Sequence, residues 1–259
     1  VAATMPRFAA NLGFLWAEAP FERRFGAAAA AGFAAVEFAQ PYDREPREIA
    51  ELLEANALAM VLFNLPMGDK AAGDFGIACL PGREDEFREG VASAVAYARV
   101  LGNERVNCIA GKSPAGADPA LVRATLLANL RHAAAEFARA GLTLLVEPIN
   151  TVDVPGFCLA RQAEGAALLA ELAAENAGLQ YDIYHAAMMG DDPVEGLARH
   201  APVIRHVQFA DAPGRHEPGT GRVDVAGCFR RLDAMGYAGW VAAEYRPTGP
   251  TAESLGWLA

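Results

Sequence analysis

Eight short apolar or β-branched runs alternate along the chain with longer, alanine-rich amphipathic segments, and no linker or shift of composition interrupts them. Runs of strand length followed by helical periodicity are the mark of βα units, in which a helix carries the chain back so that the next strand lies parallel to the last. The strands read as residues 8–12, 35–38, 58–64 and 105–110, a fifth from Thr143 into Glu147-Pro148-Ile149-Asn150, then 179–184, 203–209 and 240–245. The helices read as residues 20–31, closed by Gly32, then 46–56, 85–101, 118–140, about 160–174, 193–200 and 226–235. Asp118 followed by Pro119 is a start signal, an N-cap acceptor ahead of a residue with no N–H to satisfy. Eight such units fit a closed (β/α)8 TIM barrel spanning residues 1–259 as one domain better than an open doubly wound sheet. No GxGxxG follows the first strand, which removes the usual dinucleotide reading of the open sheet.

The segment 65–81 breaks the rhythm. It is too long for an ordinary connection, is punctuated by Pro66, Gly68, Gly73, Gly76 and Pro81, and keeps Phe75, Ile77 and Leu80 to pack against something, so it reads as a rim or lid. Residues 1–4 precede a natural start at Met5-Pro6-Arg7 and read as an extension.

Composition narrows the function. A net charge of −10 over 259 residues, with no cluster of Lys and Arg, argues against a nucleic-acid partner, since phosphate neutralisation supplies most non-specific affinity. No uncharged apolar run reaches the roughly 18 residues of a membrane span. Cys79, Cys108, Cys158 and Cys228 are scattered without a CxxC pair, as expected of free thiols in a reducing cytoplasm. Oligomeric state, homo-oligomerisation included, stays open.

Four strands end in oxygen-bearing side chains: Glu147, Asp182, Gln208 and Glu244. At the C-terminal mouth of a barrel, where active sites lie, the four converge. Any one of them alone could cap a helix or pair with an arginine, but carboxylates gathered together repel and call for a cation. An oxygen-rich set with open positions suits Mg²⁺ or Mn²⁺ better than Zn²⁺. His185, three residues past Asp182, is either a substrate donor beside the metal or a core histidine satisfied by a carbonyl. His206 shares a pleat face with Gln208 and either supports it or fills the barrel. Arg215 and His216, in a polar glycine-rich loop after the seventh strand, are suited to gripping an anionic substrate, the arginine through a bidentate carboxylate contact. Glu37 and Asn64 also point to the mouth, as supports of the site or as structural hydrogen-bonders, and Lys112 is a weaker candidate.

The runs Gln180-Tyr181-Asp182-Ile183-Tyr184-His185, His206-Val207-Gln208 through Asp211-Ala212-Pro213-Gly214-Arg215-His216-Glu217-Pro218-Gly219-Thr220-Gly221, and Glu244-Tyr245-Arg246-Pro247 resemble the hydroxypyruvate isomerase family. Val146-Glu147-Pro148-Ile149-Asn150-Thr151, the opening Pro6-Arg7-Phe8-Ala9-Ala10-Asn11-Leu12 and the closing Leu255-Gly256-Trp257 extend the likeness over nearly the whole chain. The resemblance implies a xylose-isomerase-like barrel with Glu147, Asp182, Gln208 and Glu244 as metal ligands. It further implies Glu147 and Glu244 as the acid/base pair, and His185 and Arg215 as substrate contacts. Arg222-Val223-Asp224-Val225 departs from the family pattern, which has an acidic residue and an Asn-Tyr pair there; this bears on the substrate rim and leaves the metal set intact. The expected reaction is aldose–ketose isomerisation of a small anionic 2-keto acid, hydroxypyruvate to tartronate semialdehyde, through an enediolate. Its rivals are 2-oxotetronate isomerisation, C3 epimerisation of a ketose, abasic-site endonuclease action and metal sensing without catalysis.

Overall fold

The computed structural model describes residues 6–258; the proposed extension at residues 1–4 lies outside them. Eight parallel strands form a closed barrel in sequence order: β1 Arg7–Asn11, β2 Ala35–Glu37, β3 Ala59–Asn64, β4 Arg105–Cys108, β5 Thr143–Val146, β6 Ala177–Asp182, β7 Ile204–Phe209 and β8 Trp240–Ala243. Closure is made by β1 on β8, with Phe8 opposite Val241 and Ala10 opposite Ala243. Outside run α1 Phe21–Ala30, α2 Pro46–Ala55, α3 Glu84–Leu101, α4 Pro119–Ala140, α5 Gln162–Leu172, α6 Ile183–Met188, α7 Pro193–His200 and α8 Val225–Ala234. None of these is long and apolar enough to cross a membrane.

Asp118 caps α4 as its sequence suggests, its carboxylate accepting the Ala120 N–H at 2.9 Å. The largest departure from the sequence reading is at β6, which stops at Asp182 and does not continue to residue 184. Asp182 Oδ1 accepts the N–H groups of Tyr184 (2.7 Å) and His185 (3.3 Å), and that cap turns Ile183-Tyr184-His185 into the first turn of α6, a helix the sequence reading lacks. A β-branched residue beside a tyrosine looks like strand; the aspartate before them overrides it.

Two packing features hold the frame. Phe209, fully buried, meets Phe229 and Trp257 edge-on at 5.0 and 4.8 Å, so its loss to alanine costs about 3–5 kcal/mol. Two 3-10 turns, Thr251–Ser254 and Gly256–Leu258, bring Trp257 there, and the Trp257 indole donates to Tyr245 Oη at 3.0 Å. Gly165 lets α5 lie directly on the strand ends, since a Cβ there would come within 2.8 Å of both Pro148 and Leu179. The segment 65–81 has no regular element, yet Ile77, Ala78 and Cys79 are buried and the Cys79 N–H donates to Ala110 at 2.8 Å. The four cysteines are free thiols.

Candidate active site

Every strand delivers one polar side chain to the same end of the barrel. In order they are Asn11, Glu37, Asn64, Asn107, Glu147, Asp182, Gln208 and Glu244, the fifth and eighth one residue beyond their strands. The register sets neighbours side by side: Asn11 with Glu37, Asn64 with Asn107, Asp182 with Gln208. All eight are buried except Glu244, whose side chain is 13% exposed.

Two hydrogen-bonded chains knit this ring. In one, Gln180 Nε2 donates to Gln208 Oε1 (2.6 Å), Gln208 Nε2 to Glu37 Oε1 (2.7 Å), and Asn11 Nδ2 to both Glu37 Oε1 (2.9 Å) and Glu244 Oε1 (3.0 Å). In the other, Asn107 Nδ2 donates to Asn64 Oδ1 (3.1 Å) and Glu147 Oε2 (2.8 Å). Glu37 is thus the hub that fixes Gln208 and, through Asn11, steadies Glu244. His206 completes the hub: its Nε2 lies 2.7 Å from Glu37 Oε2, so Nε2 carries the proton, and Nδ1 has no hydrogen-bond partner among the described residues. The Gln208 amide is oriented by Glu37, and its oxygen retains one lone pair after accepting from Gln180.

Arg215 joins the carboxylates. Its guanidinium donates to Glu244 Oε2 in a short contact and to Asp182 Oδ2 at 3.3 Å, and lies 4.8 Å from the Phe14 ring. The backbone makes this reach possible through a left-handed Arg215 (φ 58°) in a loop clamped by one carboxylate. Asp211, fully buried, accepts the N–H groups of Ala212 and Val223 on Oδ1 and of Gly219 and Gly221 on Oδ2, at 2.8–3.0 Å. Gly221 is required by this closeness, because a Cβ would fall 2.3 Å from the Ala212 carbonyl oxygen.

His185 turns Nε2 toward the carboxylates, 3.6 Å from Asp182 Oδ2 and 3.9 Å from Glu147 Oε1. Its Nδ1 accepts from the Asn150 side-chain amide at 2.7 Å and faces the Asn150 backbone N–H at 3.4 Å. Nδ1 is therefore an acceptor and Nε2 bears the hydrogen. Burial lowers its pKa to about 4, opposed by Asp182 and Asp153 and helped by Arg215, so His185 is a neutral donor aimed at the site.

Burial pushes the Glu147 carboxyl well above the usual range; Glu244 and Asp182 push the same way, against Arg215 and Asn107. Burial likewise raises Glu244 to about 8, opposed by Arg215 and helped by Asp182 and Glu37. Burial works against the Arg215 cation, but the surrounding carboxylates outweigh it and hold its pKa above the ordinary value. Glu147, Asp182 and His185 place one ligand atom each within 4.8 Å of one another.

A cavity of about 500 Å³ opens above this floor, lined by Glu147, His185, Arg215 and Glu244 and walled by Phe14, Met67, Phe75, Ile109 and Ile149. Met67 and Phe75, in that wall, come from the segment 65–81. A cleft of about 580 Å³ between α6, α7 and the loop after β7 has only solvent-reaching charged residues, Asp191, Asp192, Arg222 and Asp224, and lacks a buried polar centre.

Of the expected site residues, the structure brings Glu147, Asp182, Glu244, His185 and Arg215 together. Gln208 stands beside Asp182 but has both amide ends engaged in the ring. His216 does not line the cavity; its Nδ1 donates to the Arg246 carbonyl at 2.7 Å. Lys112 also lies off the cavity, pairing through its backbone with Phe157. Asn11, Asn150, Gln180 and Asp211 stand in the quoted sequence runs without a role of their own, and Asn107 is not singled out there. For the amides, the available signal was a lone polar residue at or near the end of an apolar run.

The residues 25–259 match the model of the xylose isomerase-like TIM barrel family. The chain is 47% identical over 254 residues to a 2-oxo-tetronate isomerase of Cupriavidus necator and 45% identical over 254 residues to a hydroxypyruvate isomerase of Escherichia coli, covering 98% of both chains in each case. It superposes with a TM-score of 0.96 and 41% identity on a crystal structure from Brucella melitensis titled AP endonuclease, family 2, again over 98% of each chain.

Proposed function

The chain belongs to the xylose isomerase-like TIM barrel family, within its hydroxypyruvate isomerase branch, and from that premise we propose that it isomerises a small 2-keto acid. The three-carbon substrate would be hydroxypyruvate, giving tartronate semialdehyde; 2-oxotetronate is the four-carbon alternative. The observation that carries the reading is the gathering of Glu147, Asp182 and Glu244 in one floor with, among the described residues, Arg215 as the cation that pairs with them.

This donor set fits a divalent cation. Carboxylates that raise one another's pKa, beside an amide oxygen with a spare lone pair, are hard donors of the kind Mg²⁺ and Mn²⁺ take. Glu147, Asp182, Gln208 and Glu244 would hold it, and the ion, when bound, supplies Lewis-acid polarisation of the substrate's carbonyl and adjacent hydroxyl.

Glu147 and Glu244 act as the acid/base pair. One takes the proton from the hydroxyl-bearing carbon, and the same residue or its partner returns one to the former carbonyl carbon, passing through an enediolate. Asn107 holds Glu147 by Oε2 and leaves Oε1 on the side of His185, whereas Glu244 is held on both oxygens, Oε1 by Asn11 and Oε2 by Arg215, which must yield Oε2 when Glu244 takes a proton. His185 Nε2–H donates to a substrate oxygen, and the apolar wall keeps water from the enediolate. The free thiols accord with a cytoplasmic setting. An endonuclease built on a histidine-rich zinc cluster fits poorly, since His185 is the one histidine on the cavity lining among the described residues.

The test is a metal-depleted sample assayed on hydroxypyruvate and 2-oxotetronate, with Mg²⁺ and Mn²⁺ restored in turn, beside Glu147→Gln and Glu244→Gln. Turnover should return with the cation, and each variant should lose roughly 100- to 10,000-fold while keeping its circular dichroism and melting temperature. Turnover that ignores chelation, or near wild-type activity in both variants, ends the proposal.

A further inference from the structure

We propose that Arg246, on the cavity rim, is the anchor for the substrate carboxylate, and that it makes this site prefer keto acids to neutral ketoses. The inference rests on the keto-acid reading above and deepens it.

Two arginines line the cavity among the described residues. Arg215 has its charge spent, because its guanidinium is shared between Glu244 and Asp182 and its Nε faces the Glu244 carbonyl at 3.4 Å. Arg246 has no carboxylate within 4.0 Å among the described residues and is solvent-exposed. Its backbone is nevertheless fixed, as its N–H donates to the Arg215 carbonyl at 2.7 Å and its carbonyl receives His216 Nδ1–H at 2.7 Å. The guanidinium lies 5.7 Å from the Phe14 ring, whose centroid Arg215 approaches at 4.8 Å. Phe14 therefore carries one compensated cation on the floor side and one uncompensated cation at the rim.

Substrate chemistry supplies the direction. A 2-keto acid must present its carbonyl carbon and the adjacent hydroxyl carbon to Glu147 and Glu244. With those two carbons at the floor, its own carboxylate is left to face outward, toward the rim where the free guanidinium stands. A planar fork there takes both carboxylate oxygens. His216, expected to share this task, is instead the strut that holds the Arg246 backbone. In hydroxypyruvate and 2-oxotetronate the carboxylate sits on the carbonyl carbon alike, so Arg246 serves both, and chain length is read elsewhere on the wall.

Arg246→Met and Arg246→Lys test this, with hydroxypyruvate as substrate, dihydroxyacetone as its three-carbon neutral counterpart (read as substrate or as competitor), and glycerate as an unreactive acid titrated by calorimetry. Removing a charge-assisted pair predicts a KM for hydroxypyruvate and a Kd for glycerate raised about 10- to 100-fold in Arg246→Met, with the loss falling on KM more than on kcat. The loss on the acid should exceed that on dihydroxyacetone by the same factor, and Arg246→Lys should recover part of it. Unchanged glycerate affinity in Arg246→Met, or equal losses on acid and ketose, overturns the assignment. A wild type that turns over no keto acid sinks the functional reading by itself, and the glycerate titration still decides Arg246.

Discussion

Replacing Asp211 with asparagine tests how the floor gets its cation. Asp211 accepts four backbone N–H groups, two on each oxygen, and these bonds close the loop from Ala212 to Val223 that delivers Arg215. Asparagine keeps the shape but turns one oxygen into a donor, so two N–H groups lose their acceptor. The side chain will orient to keep Ala212 and Val223 satisfied and sacrifice Gly219 and Gly221, which sit at the surface where water can substitute. Hydrogen bonds to a charged acceptor contribute about 1.5–3 kcal/mol each; two lost, with water recovering part, leave a local cost near 3 kcal/mol. That is roughly a 100-fold rise in loop opening. Native-state hydrogen exchange over residues 211–223 should lose protection by about that factor, while the melting temperature moves little because the loop opens by itself. With Arg215 no longer held between Asp182 and Glu244, kcat/KM should fall at least about tenfold. Wild-type exchange in that peptide together with wild-type kcat/KM would refute the clamp.

Asn150→Asp puts an acceptor where His185 Nδ1 needs a donor, so the ring hydrogen should move to Nδ1; ¹⁵N shifts of His185 report the tautomer, and kcat should drop about tenfold or more. An unchanged tautomer would remove Asn150 from its positioning role. The pH dependence of stability follows from the signs of the shifts. Glu244 is raised, so in the cation-free protein its stabilising contribution is full below about 4.5 and is lost as pH climbs through about 8. His185 is depressed, so its contribution is full above 6.5 and lost as pH falls through about 4. Calorimetric melts of chelated protein should therefore decline between pH 6.5 and 9, and Mg²⁺ should flatten that decline. A flat profile without Mg²⁺ counts against a repelling floor.

The barrel is legible in the sequence because strand and helix periods differ, and eight apolar runs between amphipathic segments leave few other closures. Glu147, Asp182, Gln208 and Glu244 are legible too, as polar endings of such runs. Asn11 and Asn107 carry no charge and sit in strands that look ordinary. What gives them a role is a partner at the end of a neighbouring strand, 233 residues away in sequence for Asn11 and Glu244, and no local window holds that information. The helix after Asp182 escapes for a different reason, since one cap outweighs the strand preference of Ile183 and Tyr184. His216 is misleading by adjacency: after a left-handed Arg215 the next side chain leaves the cavity for the Arg246 carbonyl.

The bond from Asn11 to Glu244 joins the first strand to the end of the last, just where β1 and β8 close the sheet. During synthesis, a growing polypeptide that has already made Glu147 and Asp182 still lacks both the seam and Glu244, the carboxylate proposed as the second acid/base group. Completion of the floor is thereby tied to the final stretch of translation, and an abortive product ending before Trp240 carries most of the fold's mass without the closed sheet or Glu244.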